Sequence, residues 1–328
     1  QRLSETAPKF DKLWLSGGEP FLREELVDII SLFYENNGVK SINLPTNGLL
    51  PDRIIEEVTR LLERCPKLTV HLNFSLDGLP ETHDAVRGVP GGFFKTLEAL
   101  DAAEEKFRGH PRVHRNVATV LNQETAGDAE DLAAFLFSRY TLATHFFEVM
   151  RGTPRDPAMR APSRDQLESL HARLLPFSEA MAARLFDNLP PGVREFAKLS
   201  FVGVIGFLFR IQEENVEGPQ PWPMACTAGK TTFVIDHDGS FRSCELRPPI
   251  GKVQDYGCDL SAALRSTAMR EEIATIGGGH RANCFCTHTC WMLSSLKFSP
   301  KSLIYEIPKR YLEYRLGGNG DFTNFENT

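Results

Sequence analysis

Five apolar runs mark the first half of the chain, each ending in glycine or polar residues: LWLSGG (13–18), INLPTNG (42–48), VHLNFSLDG (70–78), VHRNVATVLN (113–122) and HFFEVMRG (145–152). Between the early runs the apolar period changes. Leu26, Ile29, Ile30 and Phe33 fall on one helical face, and so do Ile54, Ile55, Val58, Leu61 and Leu62. Strand alternating with helix predicts right-handed crossovers and a parallel sheet, as a β/α barrel or an open doubly wound sheet.

Both architectures collect their chemistry at the carboxyl ends of the strands. This sequence keeps its unusual residues there: 16–19, 46–48, 75–78, Asn122 and 148–152. Together they would ring one mouth of the sheet with backbone donors, carboxylates and an arginine, a match to a small zwitterionic ligand. No single one of them is specific, and the weight lies in five at corresponding positions. Leu13, Trp14 and Leu15 read as a buried strand, and Gly17 and Gly18 let the backbone pass close to a ligand before Glu19 and Pro20.

Further on, SRDQLESLHARLLPFSEAMAARLF and SFVGVIGFLF read as two helical units parted by Leu189-Pro190-Pro191 and placed to cover the barrel mouth. Trp222, among the prolines of QPWPMAC, reads as a packing residue. The GGNG of 317–320 opens a loose polar tail. The expected units are a barrel over 1–160, a helical connection over 161–215, a cysteine-rich unit over 216–310 and a tail over 311–328.

With 328 residues, 41% of them hydrophobic, the chain can bury a large core. A formal charge of -6 opposes a nucleic-acid-binding surface. No apolar run reaches bilayer length, the nearest being 201–209. There is no signal peptide, and the abrupt start at Gln1 implies that the natural N-terminus lies upstream. The setting expected is cytoplasmic, without a membrane partner.

Seven cysteines change the picture. Cys65, alone at the end of a helical pattern, reads as structural. Cys226 and Cys244 flank TAGKTTFVIDHDGSFRS, where TTFVI and SFRS form a hairpin about the Asp238-Gly239 turn, so that both thiols can face one point. Forty residues on, CFCTHTC packs Cys284, Cys286 and Cys290 into seven positions. Cys258 reads as a small buried residue. A large chain without a signal peptide needs no disulfide staples, so the cluster points to metal. Zinc and iron–sulfur clusters take the same thiolates, and spacing does not separate them.

The two lines together resemble one family, the radical S-adenosylmethionine (SAM) enzymes with a C-terminal SPASM or twitch extension. Gly17-Gly18-Glu19-Pro20 is similar to the family's GGEP motif. Thr46-Asn47-Gly48 is similar to its third-strand ending, and Ser75-Leu76-Asp77-Gly78, followed by His83 and Arg87-Gly88, to its fourth. The segment 226–244 has the extension's spacing of cysteine, twelve residues, glycine, four residues, cysteine. The CxxxCxxC loop that defines the family is absent from these 328 residues, and the resemblance implies a chain that starts inside the first barrel helix. CFCTHTC, with no later cysteine, departs from the full SPASM pattern and implies one auxiliary cluster, as in the twitch variant.

The resemblance implies an α/β fold, a partial (β/α) barrel truncated at its N-terminus, with a small C-terminal cysteine-rich domain. It implies that Gly17, Gly18, Glu19 and Pro20 hold SAM, with Thr46, Asn47, Ser75, Asp77 and Arg151 around it. Cys226, Cys244, Cys284, Cys286 and Cys290 would supply an auxiliary 4Fe-4S cluster, and a second 4Fe-4S cluster would belong to the upstream segment. Glu245 would be the base toward the substrate, its pKa pushed up by burial near an anionic cluster. In such an enzyme one electron cleaves SAM to methionine and a 5'-deoxyadenosyl radical, which takes a hydrogen atom from a peptide or small-molecule substrate. Flavodoxin or ferredoxin would supply the electron. A non-catalytic zinc-binding or partner-binding protein on the same scaffold is the competing expectation.

Overall fold

A computed structural model of the chain describes residues 1–154, 156–276 and 284–316. Helix α1 (Arg2–Thr6) leads into β1 (Lys12–Trp14), α2 (Leu26–Asn37), β2 (Ser41–Thr46), α3 (Pro51–Arg64) and β3 (Thr69–Ser75). Then follow α4 (Pro80–Arg87), α5 (Gly92–Phe107), β4 (Val113–Leu121), α6 (Ala129–Arg139) and β5 (Thr144–Val149). The five strands pair in parallel in sequence order β1-β2-β3-β4-β5. This is the arrangement of a partial β/α barrel, and every strand ends on the same rim.

Alternation along each strand separates two faces. Ile42, Leu44, Val70, Leu72, Phe74 and Val117 are buried against helices α2, α3 and α5 in the main core. The opposite face is polar: Asn43, His71, Asn73, Ser75, His114 and Asn116 lie there in register. Asn116 Nδ2 donates to Asn73 Oδ1 at 2.9 Å, joining neighbouring strands across it.

The outer layer contains a buried Arg–Glu ion pair. Arg115 Nε lies 2.9 Å from Glu104 Oε2, their side chains 6% and 9% exposed, and the same guanidinium donates to the Phe107 and Thr141 carbonyls. Arg115→Met removes one partner and leaves a buried carboxylate, so a loss of roughly 3–5 kcal/mol is expected in urea unfolding.

Helices α7 (Arg164–Leu185) and α8 (Pro191–Asn215) are the two units expected around the 189–191 break. Helix α7 does not cover the barrel mouth. Leu167, Leu170, Leu174 and Phe177 of α7 pack with Leu121, Phe147 and Val149 on the helical side of β4 and β5, because that face carries the apolar residues. The short strands β6 (Val234–Ile235), β7 (Ser240–Arg242) and β8 (Gly251–Lys252) form an antiparallel sheet. The Asp238-Gly239 turn stands where expected, with Gly239 at φ +84°. Strand β8, too short and polar to mark itself in sequence, is an addition. Helices α9 (Leu260–Leu264), α10 (Thr267–Ile276), α11 (Thr289–Leu296) and α12 (Ile307–Leu316) complete the described chain. Residues 311–316, expected in the tail, are helical because Ile307 and Tyr314 bury against α7 and α8. The GGNG at 317–320 lies outside the described residues.

Candidate functional site

The rim at the end of β1 is bare backbone. Gly17 has φ +115°, and a Cβ on Gly17 or Gly18 would meet nothing within 4 Å. Packing therefore does not require glycine at 18. The following carboxylate is strapped down: Glu19 Oε2 accepts from Asn47 N at 2.7 Å and Oε1 from Phe21 N at 3.3 Å. Glu19 thereby ties the β1 ending to the β2 ending. Pro20 opens a single turn of 3₁₀ helix, Pro20–Leu22, which fixes that path.

The β2 ending spends its own polar groups locally. Thr46 Oγ1 accepts from Gly48 N at 3.1 Å and Asn47 Oδ1 from Leu49 N at 2.9 Å. Gly48, unlike Gly17 and Gly18, is required by packing: its φ is +74° and a Cβ would stand 2.7 Å from Thr96 Cα. Ser75 lies half-buried on the inner face at the end of β3.

Asp77 departs from its expected place at the ligand. Its carboxylate is buried, 2.6 Å from Arg87 Nε, and accepts from Val120 N at 2.8 Å. His83 Nδ1 accepts from Asp77 N at 3.1 Å. The SLDG, His83 and Arg87 elements of the motif therefore form one internal brace that sets the β3 ending against β4.

The β5 ending meets the cysteine-rich unit. Arg151 Nη1 lies 3.1 Å from Glu148, and its Nε and Nη2 lie 3.2 and 3.1 Å from Glu245 Oε1. His288 Nε2 lies 2.9 Å from the same Glu245 oxygen. This reverses the expected direction for Glu245. The contact with His288 and the Arg151 charge outweigh burial and hold the carboxyl down at about 2. Glu148 is pushed the other way by burial, although Arg151 and the first residue of α11, Thr289, oppose it.

Cys226, Cys244, Cys284, Cys286 and Cys290 all belong to one apolar cluster around Trp222, Trp291 and Met292. Trp222 Nε1 donates to the Cys286 carbonyl at 3.0 Å, a packing role. The five thiols divide by neighbourhood. Burial raises Cys226, Cys244, Cys284 and Cys286, reinforced by neighbouring thiols at Cys226, Cys244 and Cys286 and by Glu272 at Cys284, with Cys244 and Cys286 reaching about 12. Cys290 instead feels Glu148, Arg151 and Glu245. Arg247, paired with Glu272 at 2.7 Å, is the cation that favours the thiolate at Cys284. Among the described residues no three His, Cys, Asp or Glu side chains stand in a closed metal-holding arrangement. The donor chemistry nevertheless suits a thiolate-bound metal: four sulfurs in one apolar pocket with an arginine beside them.

The two remaining cysteines lie apart from this cluster. Cys65 is fully buried, 3.6 Å from Ser31 Oγ. Cys258, at φ +61°, is tied through its carbonyl to Thr6 of α1.

Residues 2–136 match the model of the Radical SAM superfamily. That match runs from α1 into α6 and takes in four of the five barrel strands. Curated relatives similar to this radical SAM domain include the GTP 3',8-cyclase of Photorhabdus laumondii, 34% identical over 34% of this chain and 32% of that protein. Another is the molybdenum cofactor biosynthesis protein moc-5 of Caenorhabditis elegans, 31% identical over 43% of this chain and 22% of its own. The Fe-coproporphyrin III synthase of Methanosarcina barkeri is 33% identical over 28% of this chain and 21% of that protein. The chain thus spans a third or less of the length of these relatives. In three dimensions it is similar to native anSMEcpe with bound AdoMet, with a TM-score of 0.58 at 17% identity, covering 97% of this chain and 86% of that one. A second structure of that protein, with AdoMet and the Cp18Cys peptide, gives 0.55 at 18% identity, covering 97% of this chain and 87% of that one. This likeness carries the partial barrel fold.

Sequence reading missed His288 and Arg247 as neighbours of the thiols and the carboxylate. Their signal was faint: a histidine inside CFCTHTC and an arginine three residues past Cys244.

Proposed function

We propose that this protein is a radical SAM enzyme with an auxiliary iron–sulfur cluster, acting on a peptide or small molecule held between the barrel rim and the cysteine-rich unit. The observation that carries the reading is the bare glycine rim at Gly17 and Gly18, beside a strapped Glu19, in a domain of this superfamily. Backbone amide and carbonyl groups left uncovered at a strand end can meet a ligand's amino and carboxylate groups directly. Ser75 on the inner face and the backbone around Thr46 and Asn47 line the same mouth. Arg151 offers a cation, although Glu148 and Glu245 already share it.

Cys226, Cys244, Cys284 and Cys286 would hold the auxiliary cluster, and Cys290, which feels the charges of Glu148 and Arg151, would line the substrate side. Clusters of this family supply one electron, and with it the hydrogen-abstracting chemistry of SAM; the protein binds, orients and excludes water. The reading carries with it a second 4Fe-4S cluster at the SAM site, a reducing partner such as flavodoxin or ferredoxin, and a cytoplasmic setting.

Gly18→Val tests the rim. Because a side chain at 18 meets nothing in the protein, the variant keeps its fold and thermal midpoint, while SAM binding in calorimetry falls below detection. Normal SAM affinity in the variant would remove Gly17 and Gly18 from the site.

A further inference from the structure

The polar inner face of the sheet carries more base than the rim chemistry uses. One row across the barrel is Trp14, Asn43, His71 and His114, in register on β1 to β4. The two imidazoles stack with centroids 4.8 Å apart at 23°. Lys12, two residues before Trp14 on the same face of β1, feels the like charge of Lys297, which follows α11 in the cysteine-rich unit.

The charges facing this group are few. Lys12 feels Lys297 and Asp11; His71 feels His114 and Lys12; His114 feels Arg115, whose guanidinium is committed to Glu104. Asp11, exposed, is the one carboxylate among these influences. Burial and these like charges lower Lys12, His114 and His71, the last to about 4. In the same row, Trp14 Nε1 is a buried donor with no hydrogen-bond partner among the described residues. Two neighbouring like charges and an unused indole N–H are unfavourable in the protein alone, and one anion placed among them relieves both.

We infer that Lys12, Lys297, His71 and His114, with Trp14 Nε1 as a neutral donor, form a receptor for an oxyanion group, a phosphate or a carboxylate. If the reading as a radical SAM enzyme holds, that group belongs to the substrate, which then lies along the inner face with its anionic end away from the SAM rim. Binding raises the affinity of the imidazoles for protons, so it takes up protons and strengthens as the pH falls.

The test is calorimetry of the purified chain with inorganic pyrophosphate and, separately, citrate, at pH 6.5 and 8.0. One probe or both should bind, more tightly at the lower pH, and the probe preferred tells phosphate from carboxylate. The double variant Lys12→Ala/Lys297→Ala should weaken binding roughly 10- to 100-fold, as expected for each charge-assisted hydrogen bond lost. Both lysines are exposed, so the variant should unfold no earlier than the parent. His71→Gln should flatten the pH dependence. No binding of either probe, or binding unchanged in the double variant, overturns the inference. SAM affinity, read on the same double variant, should be unaffected, which separates failure of the anion receptor from failure of the SAM site.

Discussion

Cys244→Ala is expected to strip the cysteine-rich unit of its iron. In the anaerobically reconstituted protein this unit should bind about four irons at one site, following the four-thiolate rule for cubane clusters. Cys244 lies buried in the apolar cluster with Cys226 and Cys284, so its loss takes away one of the four thiolates assigned to the cluster. Cys226→Ala should behave in the same way, since each flank of the hairpin supplies one ligand. Cys290→Ser should retain the iron, because the charges that act on that thiol are Glu148, Arg151 and Glu245 and not the other cysteines. Brown colour with broad absorption in the parent, lost in the first two variants and kept in the third, is the expected pattern. Stoichiometric zinc with no iron after anaerobic purification would contradict the cluster assignment.

The second large effect concerns Glu245. Glu245→Gln keeps the size of the side chain but removes the negative charge that Arg151 and His288 both approach. If that carboxylate acts on the substrate and not on SAM, the full-length variant should still form 5'-deoxyadenosine when reduced, while product falls on the order of 100-fold or more. The depressed carboxyl is a weaker base than burial alone would make it, so Arg151 or His288 must move toward the substrate for Glu245 to take a proton. Unchanged product would assign Glu245 to bracing Arg151. Loss of 5'-deoxyadenosine together with product would make it a support of the fold.

The barrel was legible because its strands announce themselves twice, by apolar runs and by the glycine or Asx residues that end them. Gly17, Gly48 and Gly78 each have positive φ at a strand end, which a short motif reveals directly. Asp77 was misplaced because a motif residue reads alike whether it faces a ligand or, as here, braces Arg87 and the backbone of β4. The direction of the Glu245 shift was hidden for a similar reason. Its partners come from positions 151 and 288, and no local pattern brings three such distant segments together. The basic row was partly legible. His71, Asn73 and Ser75, and again His114 and Asn116, repeat polar residues at period two inside apolar strands, which marks a face turned away from the core. Lys297 could not have been read with them, since only the return of α11 to the barrel brings it to Lys12.

The central claim is that this barrel cleaves SAM reductively, and the most direct measurement is 5'-deoxyadenosine formed by the full-length protein, reconstituted with iron and sulfide and reduced with dithionite. The account predicts 5'-deoxyadenosine and methionine in equal amounts, abolished by Gly18→Val. Iron-loaded protein that binds SAM yet forms no 5'-deoxyadenosine under reduction would contradict it.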